Sequence, residues 1–154
     1  MIRRGVIEQV TDDAGAAQRV QVHGVARQLL DQIEHMQVYG LTSHPEPISA
    51  DGKGSECLLI DIGGTTYRVV AVASDRRFRP RTCQPGDVVL YTSADDPEAE
   101  HEGATSRVAL TTEPALYVRI GAAQITANAE QLQLRYGAAA VTMTAGQIHF
   151  TAGG

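Results

Sequence analysis

Three groups of residues in this chain are of types that do chemistry, and their spacing limits what each can do. The run Leu58-Leu59-Ile60-Asp61-Ile62-Gly63-Gly64-Thr65-Thr66 sets an aspartate and two threonines around paired glycines. Backbone N–H groups in such a turn and threonine hydroxyls can meet phosphate oxygens, while the carboxylate orients a metal-bound nucleotide. Five histidines are present, His23, His35, His44, His101 and His149, but no two stand two or four apart. There is no HExxH, no Ser/His/Asp order and no G-x-S-x-G elbow, so the sequence gives catalysis no support. Residues 93–103 hold five carboxylates, Asp95, Asp96, Glu98, Glu100 and Glu102, in no fixed ligand spacing for a hard cation. They read as a solvated acidic loop. Cys57 and Cys83 stand alone and read as reduced structural thiols.

The elements around these residues decide between chemistry and architecture. The Asp61 run resembles the first phosphate loop of sugar kinases and other actin-like ATPases. That fold spreads a second phosphate loop and an adenosine site over several hundred residues, and 154 residues leave no room for them. The structural reading is a β-hairpin: a strand to Ile62, a glycine-containing turn, and a return strand from Tyr67 to Ala73. Short β runs surround it at Val6 to Val10, Arg19 to Val22, Cys57 to Ile62, Arg68 to Ala73 and Asp87 to Tyr91. Turn residues at 12–15, 49–54 and 84–87 separate them. The sum is a small all-β barrel or sandwich. Val25, Leu29, Leu30 and Ile33 have helical spacing, yet Gln37-Val38-Tyr39 after them reads as strand.

The C-terminal forty residues repeat. Gly121-Ala122-Ala123-Gln124-Ile125-Thr126-Ala127 matches Gly137-Ala138-Ala139-Ala140-Val141-Thr142-Met143 sixteen residues later, and Gly153 opens a third copy. Aliphatic residues alternate inside the period: Leu116, Val118, Ile120; Ile125, Ala127, Ala129; Leu132, Leu134, Tyr136; Val141, Met143; Ile148, Phe150. A period of two within a period of sixteen means short strands with one apolar face, joined by turns at glycines. Such strands are too short to bury that face alone, and identical chains around an axis are the simplest supply of partners. Alternation turns Ile148 and Phe150 to the face of Leu132 and Leu134 and sends His149 outward with Gln133. A three-histidine metal ring at His149 requires the last strand to twist out of register.

Bulk properties agree with an assembly part. The formal charge of −5 gives no basic face for nucleic acid. From 121 to 154 the ionisable residues are Glu130, Arg135 and His149, a shortage of charge typical of assembly or membrane-contact surfaces. No apolar stretch follows Met1-Ile2-Arg3-Arg4 and none approaches a membrane span, which predicts a chain made and kept soluble in the cytoplasm.

Several blocks of the N-terminal two thirds are similar to the Mu-type baseplate assembly protein V family, the central spikes of contractile-tailed phages. They are Arg4-Gly5-Val6, Gln18-Arg19-Val20-Gln21-Val22, and Glu34-His35-Met36-Gln37-Val38-Tyr39-Gly40-Leu41-Thr42-Ser43-His44-Pro45. Val70-Ala71-Val72-Ala73-Ser74-Asp75-Arg76-Arg77-Phe78-Arg79-Pro80 and Gln84-Pro85-Gly86-Asp87-Val88-Val89-Leu90-Tyr91-Thr92 complete the set, so the similarity runs over about residues 3 to 92. The resemblance implies an all-β chain: an oligonucleotide/oligosaccharide-binding (OB) type barrel over 1–92, an acidic loop and neck over 93–114, and a trimeric intertwined β-helix spike over 115–154. It further implies a homotrimer in the virion tail baseplate, assembled in the host cytoplasm, docked on the tail hub protein and aimed at the host outer membrane. Two departures stand out. The acidic loop is longer than usual, and the paired His-x-His that binds iron near the tip of many such spikes is replaced by Gln147-Ile148-His149-Phe150-Thr151. No iron or other cofactor is carried over.

On that reading the trimer core is Leu116, Val118, Ile120, Ile125, Leu132, Leu134, Val141, Met143, Ile148 and Phe150, with strands pairing between chains, and the tip is His149, Phe150 and Thr151. The competing reading is a trimeric tail fibre or receptor-binding adhesin on the same stalk. A binding surface beyond the stalk would mark it.

Overall fold

A computed structural model of the chain describes residues 2–62, 67–113 and 115–153. Among these there is no α-helix. Five strands make the first compact unit, residues 1–77: β1 (Ile2–Asp12), β2 (Arg19–His23), β3 (Leu29–His35), β4 (Glu56–Ile62) and β5 (Tyr67–Ser74). They close into a barrel in the order β1-β2-β3-β5-β4, all neighbours antiparallel except β3 and β5. Closure leaves no free edge. The interior is Ile7, Val20, Val22, Ile33, Cys57 and Leu59, with Val10 and Leu30 packed against it. Burial pushes the Cys57 thiol up to about 11, so it stays protonated and inert.

The segment of ambiguous spacing is β3. Val20 faces Ile33 while Val22 faces Leu30, so Asp31 and Gln32 of β3 oppose Gln21 of β2 alone. The extra residue is a β-bulge with Gln32 at φ 55, and it turns both Leu30 and Ile33 inward at an interval that mimics a helix. The Asp61 run sits on the hairpin: Ile62 pairs with Tyr67, and the glycine-threonine turn between them lies outside the described residues.

The second unit, residues 78–154, is a seven-stranded antiparallel meander. Its strands are β6 (Val88–Tyr91), β7 (Ser106–Thr111), β8 (Ala115–Ile120), β9 (Ala123–Asn128), β10 (Gln131–Tyr136), β11 (Ala139–Thr144) and β12 (Gln147–Thr151). Two-residue turns link the last five. Gly121 and Gly137 open two of them at φ 56 and 58, where a side chain would be strained. In a third, Asn128 Oδ1 accepts from the backbone N–H of Glu130 and Gln131, an Asx-type turn.

The described strands redraw two expected boundaries. The division falls at 77/78 rather than after 92, because Val88–Tyr91 pairs with β7 and belongs to the sheet. The span 93–114 contains β7 as well as a loop. Within the chain, two-residue turns bring consecutive strands directly into register.

Candidate assembly surface

Residues directly opposite in an antiparallel pair share a face, so the register maps both faces of the sheet. One row runs Leu90, Val108, Val118, Ile125, Leu134, Val141, Phe150 across all seven strands. Beside it run Val88, Leu110, Leu116, Ala127, Leu132, Met143 and Ile148. A third, shorter row holds Ile120, Ala123, Tyr136 and Ala139. The ten residues named from sequence all lie on this face. Val88, Leu90, Val108, Leu110 and Tyr136 extend it, and the signal for the first four was the same alternation, in stretches read as barrel and neck.

The face is uncovered in the single chain. Exposure reaches 80% at Phe150 and 69% at Ile120, and even mid-sheet Leu134 stands 44% exposed. A shallow groove along it is lined by Val118, Ile125, Leu134, Val141 and Phe150 among others. A contiguous apolar surface across seven strands is far outside what a free soluble chain normally shows.

The opposite face is polar and, over β7 and β8, capped. Arg107 is buried there with Asp95, Nε donating to Oδ2 at 2.7 Å with both side chains fully enclosed. Its Nη1 and Nη2 donate to the carbonyls of Ala99 and Asp96, both 3.0 Å away. Asp95 Oδ1 accepts from the backbone N–H of Thr105 and Ser106. The acidic loop is therefore not simply solvated: it wraps a buried guanidinium that its carboxylate and carbonyls neutralise and satisfy. His101 extends the network, Nδ1 accepting from Arg107 Nη1 at 3.3 Å and Nε2 donating to Asp87 Oδ2 at 3.2 Å. Backbone N–H of Gln84, then His101, hold the Asp87 carboxyl below the usual carboxylate range. The His101 ring stacks on Tyr117, and Arg119 lies over the same ring with its basicity lowered by burial.

Farther along, this face carries Gln133, Thr142 and His149 in register. His149 is thus opposite to Ile148 and Phe150, and its ring lies 2.9 Å from Gln147 Oε1. Thr151, opposite Ala140, shares the polar face, so of the three tip residues only Phe150 lies on the apolar one. No group of three or more His, Cys, Asp or Glu suited to a metal ion occurs among the described residues.

Comparison with known proteins bears on the barrel most directly. The family model described as Bacteriophage Mu Gp45, N-terminal, matches residues 4–77, which is the barrel almost end to end. The baseplate puncturing device gp45 of Escherichia phage Mu is 30% identical over 129 residues, 83% of this chain and 57% of that protein. The Mu-like prophage FluMu protein gp45 of Haemophilus influenzae is 33% identical over 92 residues, 59% of this chain and 46% of that relative. The chain spans about half the length of the curated relatives it matches.

Proposed function

With residues 4–77 placing this chain in the family of Mu-type baseplate spike proteins, we propose that it is the central spike of a contractile tail baseplate and works as a homotrimer. The observation that carries the proposal is the uncovered apolar face of β6–β12 in a chain whose barrel is complete in itself. Three such sheets with their apolar faces turned to a common axis bury Leu116, Val118, Ile120, Ile125, Leu132, Leu134, Val141, Met143, Ile148 and Phe150 at the centre of a β-helical needle. The polar faces, with His149, meet solvent. At about 1.5–3 kcal/mol per large side chain, ten per chain give tens of kcal/mol gross over the trimer, ample against the cost of association.

The barrel is an OB-type module in this reading. Its five-stranded closed order with one parallel pair supports that assignment. It docks on the tail hub, and the needle points at the host outer membrane. Contraction of the sheath supplies the work, and the spike transmits it by being stiff. The near absence of charge from 121 to 154 lowers the cost of entering hydrocarbon.

Light scattering on the purified chain tests the reading. A mass of three chains at micromolar concentration is expected; a monomer sinks it.

A further inference from the structure

Arg107 and Arg119 stand directly opposite each other on β7 and β8, and both are buried, yet only one of them is satisfied. Arg107 uses its donors on Asp95, Ala99 and Asp96. Arg119, 4% exposed, donates from Nε to the His101 carbonyl at 3.3 Å, and its Nη1 is buried with no hydrogen-bond partner. No carboxylate of the described residues lies within ion-pair distance of it. A guanidinium keeps its charge even when enclosed, and a buried charged donor without an acceptor is far more costly than the same group in water. Asp95 answers Arg107 alone.

Beyond β8 the same cross-strand row runs through Gln124 of β9 to Arg135 of β10. Arg135 is held by Nε donating to the Gly137 carbonyl at 3.1 Å, and Gln124 is half-buried between the two arginines. With neighbouring strands about 4.8 Å apart, Arg119 and Arg135 are separated by ~9.6 Å across the sheet. Their charges act on one another: burial lowers the basicity of Arg119, Glu102 and Tyr117 oppose that, and Arg135 lowers it further. An anion between them relieves the repulsion and gives Nη1 an acceptor. The planar fork of a guanidinium matches the paired oxygens of an oxyanion better than it matches a halide.

We propose that Arg119, Gln124 and Arg135 form a binding site for a tetrahedral oxyanion of the phosphate or sulfate class, on the polar face of the sheet beside the 93–103 loop. Arg119 binds it through its Nη groups, Arg135 supplies the second positive charge, and the Gln124 amide adds a neutral donor. Because Arg119 bonds the His101 carbonyl, the ion is enclosed as the loop folds over β8. It fastens the loop there as Asp95 fastens it to β7. Glu102, exposed on the same loop, is the competing acceptor within the chain. The site is built inside one chain, so it does not depend on the proposed trimer.

Chemical denaturation of the full chain in sodium phosphate, against sodium chloride of equal ionic strength, tests the site. Once it is saturated, each tenfold rise in phosphate should lower the unfolding constant of the sheet unit about tenfold per chain, with chloride doing much less. Arg119→Met is expected to abolish this dependence. Arg135→Gln, at an exposed side chain, should weaken it with the fold intact, and it carries the test if Arg119→Met does not fold. Glu102→Gln should tighten phosphate binding by removing the competing acid. Equal effects of the two salts overturn the site, as does a phosphate dependence that either arginine variant leaves untouched. Loss of stability in Glu102→Gln, with no phosphate dependence in the parent chain, also overturns it by assigning Arg119 to Glu102.

Discussion

The barrel and the sheet are built from strands of similar length, yet they solve opposite problems. In the barrel, Ile7, Val20 and Val22 are completely enclosed by a wall with no edge. In the sheet, strands with an equally regular alternation leave Leu132, Leu134, Met143, Ile148 and Phe150 in the open. The difference is closure. Five strands with three bulged ladders curve until β1 meets β4, whereas the antiparallel meander keeps free edges at β6 and β12. A region that closes encloses its own apolar side chains, and a region that stays open leaves them uncovered.

The contrast is broken most severely by placing a charge where the sheet has no use for one. Leu134→Asp puts a carboxylate on the central apolar row, and in the proposed trimer three of them converge on the axis. Light scattering is expected to fall from three chains to one while the thermal transition of the barrel stays in place; an intact trimer would show that the apolar face is not the interface. Next in size is Asp95→Ala, which leaves the Arg107 guanidinium enclosed without its acid and strips Thr105 and Ser106 N–H of their acceptor. A loss of about 3–5 kcal/mol in chemical denaturation of the sheet is expected, with the barrel unaffected. The converse is Leu59→Ala, a cavity in the barrel core, which should cost that unit about 2–5 kcal/mol and leave the oligomer mass unchanged.

The smallest effect is a pH dependence confined to the barrel. His35 is buried with Nδ1 at 2.6 Å from Gln18 Oε1, and burial holds its pKa below the ordinary histidine value. The unfolded chain then binds the proton more readily than the folded one. Stability is complete above the ordinary histidine pKa of about 6.5 and declines as the pH falls below it. The barrel transition should move down between pH 7.5 and 5.5, and His35→Gln should flatten that slope. An unchanged slope in the variant would assign the dependence to another group.

Much of this contrast is legible in the order of the residues. The alternation from Leu116 to Phe150 predicts strands, turns and a shared face, and it separates His149 from Ile148 and Phe150, because period-two patterning is a local property. What escapes is partnership over distance. Val88 and Leu90 announce a strand, but only pairing with Val108 and Leu110 across the acidic loop assigns it to the sheet rather than the barrel. The loop itself has the composition of a solvated segment, and the residue that buries Asp95 lies twelve positions on at Arg107. β3 misleads for a different reason: its bulge shifts the alternation by one residue, so Leu30 and Ile33 face inward with the interval of a helix turn.

The two-residue turns at Gly121 and Gly137 also make length a countable quantity. Each sixteen-residue repeat adds two strands to the meander, and with about 4.8 Å between neighbouring strands the sheet grows by ~9.6 Å per repeat. Because each strand touches only its neighbours, a repeat can be gained or lost without re-registering the rest. Duplication of one short stretch of gene would lengthen such a shaft in fixed steps, much as links are added to a chain, while the barrel stays the same.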